Sequence, residues 1–248
     1  MANEHKFPSE VVDLPSGGKV YPKDSPLRSG KIELKYMTAK EEDILTSDNL
    51  IKKGIVITKL LDSLILTEGV KSDDLILGDK NGIMIAARIL AYGPEYVCEV
   101  TNPNTGNRET CKFDLTECPF KKIPDDVGDS DFLFKLPISK TEVKFKLLTG
   151  KDEADITEEL KRINKLNPVA SPEMTTRLRH MILSVDGSDE PAVINDFSQN
   201  ILARDSLAFR EEIKRISPDI NMTKEVEMGG EVVEVVIPMT TNFFWPKS

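Results

Sequence analysis

The sequence predicts an α+β protein built from two similar, mainly helical modules, each carrying β-hairpins. Three observations predict it. Helical periodicity fills two long stretches, one beginning near Thr38 and the other near Thr149. Each opens on a threonine followed by a lysine and paired acids, Thr38-Ala-Lys-Glu-Glu42 and Thr149-Gly-Lys-Asp-Glu153, with Thr149 lying 111 residues after Thr38. Each closes on two strand-like runs separated by turn formers. The resulting division is an N-terminal arm with short strands (1–35), a first helical module with its hairpin (36–118), a linker (119–130), and a second helical module with its hairpin and an aromatic tail (131–248).

In the arm, Leu14-Pro-Ser-Gly-Gly-Lys-Val-Tyr-Pro22 is rich in turn formers. Extended runs are expected only at 18–21 and 31–35, where Ile32 and Leu34 alternate with charge. Thr38-Ala-Lys-Glu41 then has capping-box spacing, which starts a helix over 39–46. A second helix is expected over 48–66, its apolar face formed by Leu50, Ile51, Ile55, Ile57, Leu60, Leu61, Leu64 and Ile65. Gly54 inside that pattern marks either a break or close packing. Ser72-Asp-Asp74 reads as an N-cap with acid in the first turn. A buried helix through Ile83–Leu90 ends at Tyr92-Gly93-Pro94. Strands over 95–101 and 108–115 flank Asn102-Pro-Asn-Thr-Gly-Asn107; if Thr101 pairs with Arg108, Cys98 faces Cys111 on a face shared with Val100 and Phe113.

Residues 119–130 are a break rich in Pro, Gly and Asp. Strands over 132–136 and 142–147 follow, and Lys135, Lys140, Lys144 and Lys146 suit an exposed edge. Helices are expected over 152–164, 172–184, 191–202 and 205–216, with Ser171-Pro172 a start signal and Ser217-Pro218 a stop. Strands over 225–228 and 231–237 straddle Gly229-Gly230.

Composition excludes several functions. At 248 residues, 39% hydrophobic and 30% charged, the chain has ordinary globular composition. No apolar run approaches the ~20 residues of a spanning helix. Met1–Lys6 lacks the apolar core of a secretory signal, so residence in the cytoplasm of the producing cell is expected. A net charge of −9 repels phosphate backbones. The nearest basic groups, Lys52-Lys53 and Arg177-Leu-Arg179, read as solvated helix faces.

Residues for catalysis are not evident. The sequence contains no Gly-rich phosphate loop, Gly-x-Ser-x-Gly elbow or His-Glu-x-x-His. His5 lies in the arm, and His180 sits mid-helix as a surface or core-edge residue. No catalytic, cofactor-binding or metal-binding residue is assigned, and the chain is not expected to be an enzyme. Cys98, Cys111 and Cys118 fall short of four zinc ligands and are read as reduced core cysteines rather than a redox pair. The tail Phe243-Phe244-Trp245-Pro246 either tucks into the core, the favoured reading, or anchors in a partner's pocket; its four residues are the candidate partner-binding set.

Tyr36-Met-Thr-Ala-Lys-Glu-Glu-Asp-Ile-Leu-Thr-Ser47, Leu75-Ile-Leu-Gly-Asp-Lys-Asn81 with Ala87-Arg88-Ile89, Tyr92-Gly-Pro-Glu-Tyr96 and the terminal Phe-Phe-Trp-Pro resemble the baseplate proteins of T-even-like contractile-tailed phages. The resemblance spans most of 14–246 and is most specific at 36–54. It implies a non-enzymatic role in assembling the baseplate hub, through contacts with hub proteins in the host cytoplasm. The alternative it implies is a hub or central-spike component kept in the virion tail. Many relatives carry a Cys-Pro-x-Cys-Gly zinc knuckle at the hairpin tip. Here Asn102 and Thr105 stand at the ligand positions, so the resemblance implies ribbon-like hairpins that keep their turns without metal, and no cofactor.

Overall fold

Alternating Lys31–Lys35 forms the second strand of the chain, and its partner lies in the arm. The computed structural model describes residues 8–121, 123–127, 131–167, 171–239 and 243–244. In it β1 (Ser9–Asp13) pairs antiparallel with β2 (Lys31–Lys35), Val12 opposite Ile32. The arm is part of the body of the fold: Leu14, Val20, Tyr21, Leu27, Ile32 and Leu34 all join the main core. Residues 18–21 form turns instead of the expected strand. One buried carboxylate explains the curl. Asp79 accepts the Ser16 amide at 2.8 Å, the Ser16 hydroxyl at 2.7 Å and the Tyr21 hydroxyl at 2.7 Å. Tyr21 in turn accepts the Ile76 amide at 3.0 Å, which ties the arm to the first module.

The strand-to-helix step after β2 is built on a second buried acid. Thr38 is the N-cap of α1 (Ala39–Leu45), and the expected capping box forms. Glu41, 0% exposed, accepts the Thr38 amide at 3.0 Å and its hydroxyl at 2.6 Å through Oε2. Its Oε1 accepts Lys35 Nζ and Ser63 Oγ, each at 2.7 Å. The helix expected over 48–66 is two: α2 (Asp48–Lys53) ends where Gly54 turns left-handed at φ 71°, and α3 (Val56–Leu64) follows. Nothing lies within 4 Å of where a Gly54 Cβ would be, so this glycine marks a break and not close packing. Ser72–Asp74 forms its own 3-10 turn, with the Ser72 hydroxyl on Asp62 at 2.7 Å, and does not cap the next helix. That helix, α4 (Leu77–Tyr92), stops at Gly93 as expected. The hairpin β3 (Glu95–Thr101) and β4 (Arg108–Asp114) has the register the spacing predicts, Thr101 opposite Arg108 and Cys98 opposite Cys111.

In the second half, β5 (Phe132–Lys135) pairs with β6 (Glu142–Phe145). After β6, Thr149 caps α5 (Gly150–Leu166): its amide donates to Asp152 at 2.9 Å, and the Asp152 amide donates to its hydroxyl at 3.2 Å. Lys146 Nζ meets the same carboxylate at 2.6 Å. Lys35, Thr38 and Glu41 thus recur as Lys146, Thr149 and Asp152, with the same spacing and roles. The helix expected over 172–184 stops early. α6 (Glu173–Met181) gives way to β7 (Ile182–Val185), which pairs along the other side of β6. β6 is therefore the middle strand, and its lysines do not guard an edge; Lys144 instead meets Asp131 at 2.9 Å. The first half has the same pairing in reduced form, an isolated bridge from Leu34 to Ile65 where Phe145 pairs with Ile182. α7 (Pro191–Asn200), α8 (Ala203–Ile216), β8 (Thr223–Met228) and β9 (Glu231–Val236) complete the described fold.

The halves meet through backbone. Phe120 bridges Ile220, with Lys121 N–H on Asp219 O at 2.8 Å and Asn221 N–H on Pro119 O at 2.9 Å. Residues 119–121 of the expected linker are thus fixed to the second half, whereas 122 and 128–130 lie outside the described residues. A Cβ on Gly78 would stand 1.8 Å from Pro218 O, so only glycine lets α4 approach there.

Burial alone would raise the Glu41 carboxyl from 4.5, but hydrogen bonds from Lys35, Thr38 and Ser63 bring it down to about 2. Its stabilisation is complete above the ordinary value and drains away as pH falls toward 2. Glu41→Gln should cost about 3 kcal/mol in urea unfolding at neutral pH, because it removes the buried charge on which Lys35, Thr38 and Ser63 converge. The same substitution should make the acid side of the thermal-midpoint curve shallower.

Candidate functional site

The two phenylalanines of the aromatic tail pack inside the chain. Phe243 is 1% exposed and Phe244 2%. Phe243 packs edge-on against Tyr96 at 5.1 Å and against Phe244 at 5.2 Å. The Tyr96 hydroxyl donates to Pro238 O at 3.0 Å, holding the chain just before the tail against β3. Neither phenylalanine can present its ring to a partner in this fold, because both rings are covered by the core. Trp245 and Pro246 lie outside the described residues, as does His5.

The tip of the β3–β4 hairpin is closed by one side chain. Asn102 is buried, and its Oδ1 accepts the amides of Asn104 at 2.8 Å and Thr105 at 3.2 Å. The Thr105 hydroxyl accepts the Asn107 amide at 3.3 Å. Asn and Thr offer no thiolate, and both side-chain oxygens are spent on the loop's own amides. This donor set does not fit a zinc ion. Cys98 and Cys111 face each other farther down the hairpin, as free thiols. Burial, then the neighbouring Cys111, pushes the Cys98 thiol up to about 11, so it is a poor nucleophile at neutral pH. Cys118 is buried separately, and burial raises it as well.

Of the basic groups noted in the sequence, Lys52 and Lys53 are exposed on α2, whereas the arginines of α6 are engaged with acids. Arg177 meets Glu153 and Glu173, Arg179 meets Glu159, and His180 Nε2 lies 3.1 Å from the same Glu159. The pairs with Glu153 and Glu159 bind α5 to α6, and they place His180 at the core edge. Between α6 and α8, Met174, Leu178, Met181 and Ile213 line a groove of about 510 Å³ edged by Arg177 and Arg210.

The larger opening was not foreseen, because its walls are far apart in the chain. Ile85 of α4, half-exposed Phe120, and Met222, Val236, Pro238 and Met239 around the C-terminal hairpin line a cleft of about 650 Å³. Asn81, Lys121 and Asp219 form its rim, with Asn81 Nδ2 on Asp219 Oδ1 at 3.3 Å. Lys121 Nζ also caps the end of α8, donating to Ser217 O at 2.9 Å and to Lys214 O. The one signal available beforehand was Phe120, an aromatic in a stretch otherwise read as linker. The cleft has apolar walls and a polar rim, which suits recognition of a side chain or segment.

A family model described as the T4 bacteriophage base plate protein matches residues 7–245. The chain belongs to that family. No curated protein and no solved structure matches it. For this base plate protein, the matched span takes in the capped helices of both halves, the β3–β4 and β8–β9 hairpins and the cleft. Among the described residues no helix is long and apolar enough to cross a membrane, and no three His, Cys, Asp or Glu side chains are grouped to hold a metal ion.

Two substitutions test these placements. Phe243→Ala should cost about 3–5 kcal/mol in denaturant unfolding, the loss expected for a core ring. Asn102→Ala should cost about 1 kcal/mol and speed amide exchange at Asn104 and Thr105.

Proposed function

We propose that this base plate protein is a non-enzymatic assembly factor for the baseplate hub of a contractile tail, acting by protein–protein contact in the host cytoplasm. Family membership over residues 7–245 carries the reading. The chemistry agrees with it. The candidate surfaces are apolar clefts and hairpin faces, and the buried acids Glu41 and Asp152 serve caps and ion pairs. Recognition of other baseplate proteins through such faces needs no cofactor.

In the same reading the chain is a duplicated module. The recurrence of Lys35-x-x-Thr38-x-x-Glu41 as Lys146-x-x-Thr149-x-x-Asp152 supports this, as does the matching position of Leu34–Ile65 and Phe145–Ile182. Retention as a hub or central-spike component is a second reading. It is favoured by Val97, Val232 and Val236, large apolar side chains left exposed on the hairpins that a permanent interface would cover.

A phage with this gene deleted should assemble few baseplates by electron microscopy, and a plasmid copy should restore them. Normal baseplates without the gene would sink the assembly role. Mass spectrometry of purified tails separates the two readings, since an assembly factor should be absent and a structural component present.

A further inference from the structure

The cleft opens directly onto the outer face of the C-terminal hairpin. Ile237 N–H donates to Met222 O at 2.8 Å, and pairs in an antiparallel ladder alternate between bonded and unbonded. Thr223 with Val236, Glu225 with Glu234 and Glu227 with Val232 are therefore the unbonded pairs, where opposing side chains stand closest. All six residues share one face. The other face buries Val233 and Val235.

Thr223 and Val236 line the cleft, and the next pair outward is glutamate opposite glutamate. Like charges directly opposite weaken a ribbon. Val236 and Val232 flank this pair at 66% and 70% exposure. Among the described residues no ion pair reaches Glu225, Glu227, Glu231 or Glu234. The hairpin's own Lys224 belongs to the opposite face and binds Glu117 O at 2.8 Å. The β3–β4 hairpin shows the contrast: its outer face balances Glu95 with Lys112 at 2.5 Å and Glu99 with Arg108 at 3.5 Å.

We propose that the cleft and this ribbon face dock an extended, cationic, amphipathic segment of another protein. Same-face residues of a strand repeat about every 7 Å. Apolar, basic and apolar side chains at positions i, i+2 and i+4 of the segment meet Val236, the glutamate pair and Val232 in turn. The cation relieves the Glu225–Glu234 repulsion, and the apolar groups fill the cleft and cover the valines. Nucleic acid and anionic lipid are repelled by the same face. The proposal deepens the protein-contact reading above and rests on it for the kind of partner.

The test uses the full chain and a fluorescein-labelled peptide of Val-Ser-Lys-Ser repeats, with Val-Ser-Glu-Ser repeats as the counterpart. Anisotropy should show binding of the lysine peptide, weakening with salt, and none of the glutamate peptide. Glu225→Lys should weaken that binding about tenfold, one lost close charge contact. It should also raise the thermal midpoint, because the new side chain faces Glu234 with opposite charge. Loss of binding through misfolding would lower the midpoint instead. Equal binding of both peptides, unchanged affinity of Glu225→Lys, or a lowered midpoint would overturn the proposal. Self-association of the chain that Glu225→Lys abolishes would assign the face to a second copy and overturn it too. Normal baseplates in the deletion phage would leave the peptide result standing, so the two readings fail separately.

Discussion

The fold depends on a carboxylate that is charged and buried at the point where a strand becomes a helix. Glu41 and Asp152 each join three things: a lysine at or just past a strand's end, the threonine capping a helix, and the first turn of that helix. Burial works against the charge in both cases, and the hydrogen bonds outweigh it, so both carboxyls fall below their ordinary range. A cap bond alone is worth about 1 kcal/mol, and an exposed ion pair less. Combined on one desolvated oxygen pair, they fix the direction in which the helix leaves the sheet. Asp79 shows what the missing cation changes. Its partners are hydroxyls and an amide only, and burial wins, raising the carboxyl.

What was legible in the sequence divides along locality. Thr38 with Glu41, Tyr92-Gly93 and Gly229-Gly230 carry their structure in a few adjacent residues, and each forms as read. The Cys98–Cys111 register also followed from one loop length. β7 was not legible because Ile182-Leu-Ser-Val185 continues a helical pattern, and only the open side of β6, some forty residues earlier, makes extension the better choice. The arm failed for the same reason. Nothing local in Ser16 or Tyr21 announces Asp79, yet that carboxylate converts a run of turn formers into core.

The candidate site was legible only in its pieces. The aromatic tail was conspicuous by composition, but composition cannot say whether a ring faces inward, and Tyr96, 147 residues before Phe243, decides that. Asn102 gave the reverse lesson. Asn102 has a positive role in closing the hairpin tip, since its oxygen gathers the amides of Asn104 and Thr105. The cleft needed three separated segments, brought together when residues 119–121 pair with 219–221.

The placement of charge separates structure from recognition. Several acids of the fold are matched by cations, Glu41 by Lys35, Asp152 by Lys146, Glu153 by Arg177 and Asp126 by Arg215, and buried Asp79 is held by hydroxyls and an amide. A chain of net charge −9 must leave acids over, and the C-terminal ribbon holds four glutamates with no ion pair among the described residues. Packing does not require them there, because the ribbon is held by Val233 and Val235 on its buried face. A surface that keeps like charges opposed beside exposed valines gives up stability when alone. In the proposed docking, an opposite charge arriving with apolar cover recovers that cost, so the charge left unmatched here would serve recognition and not the fold.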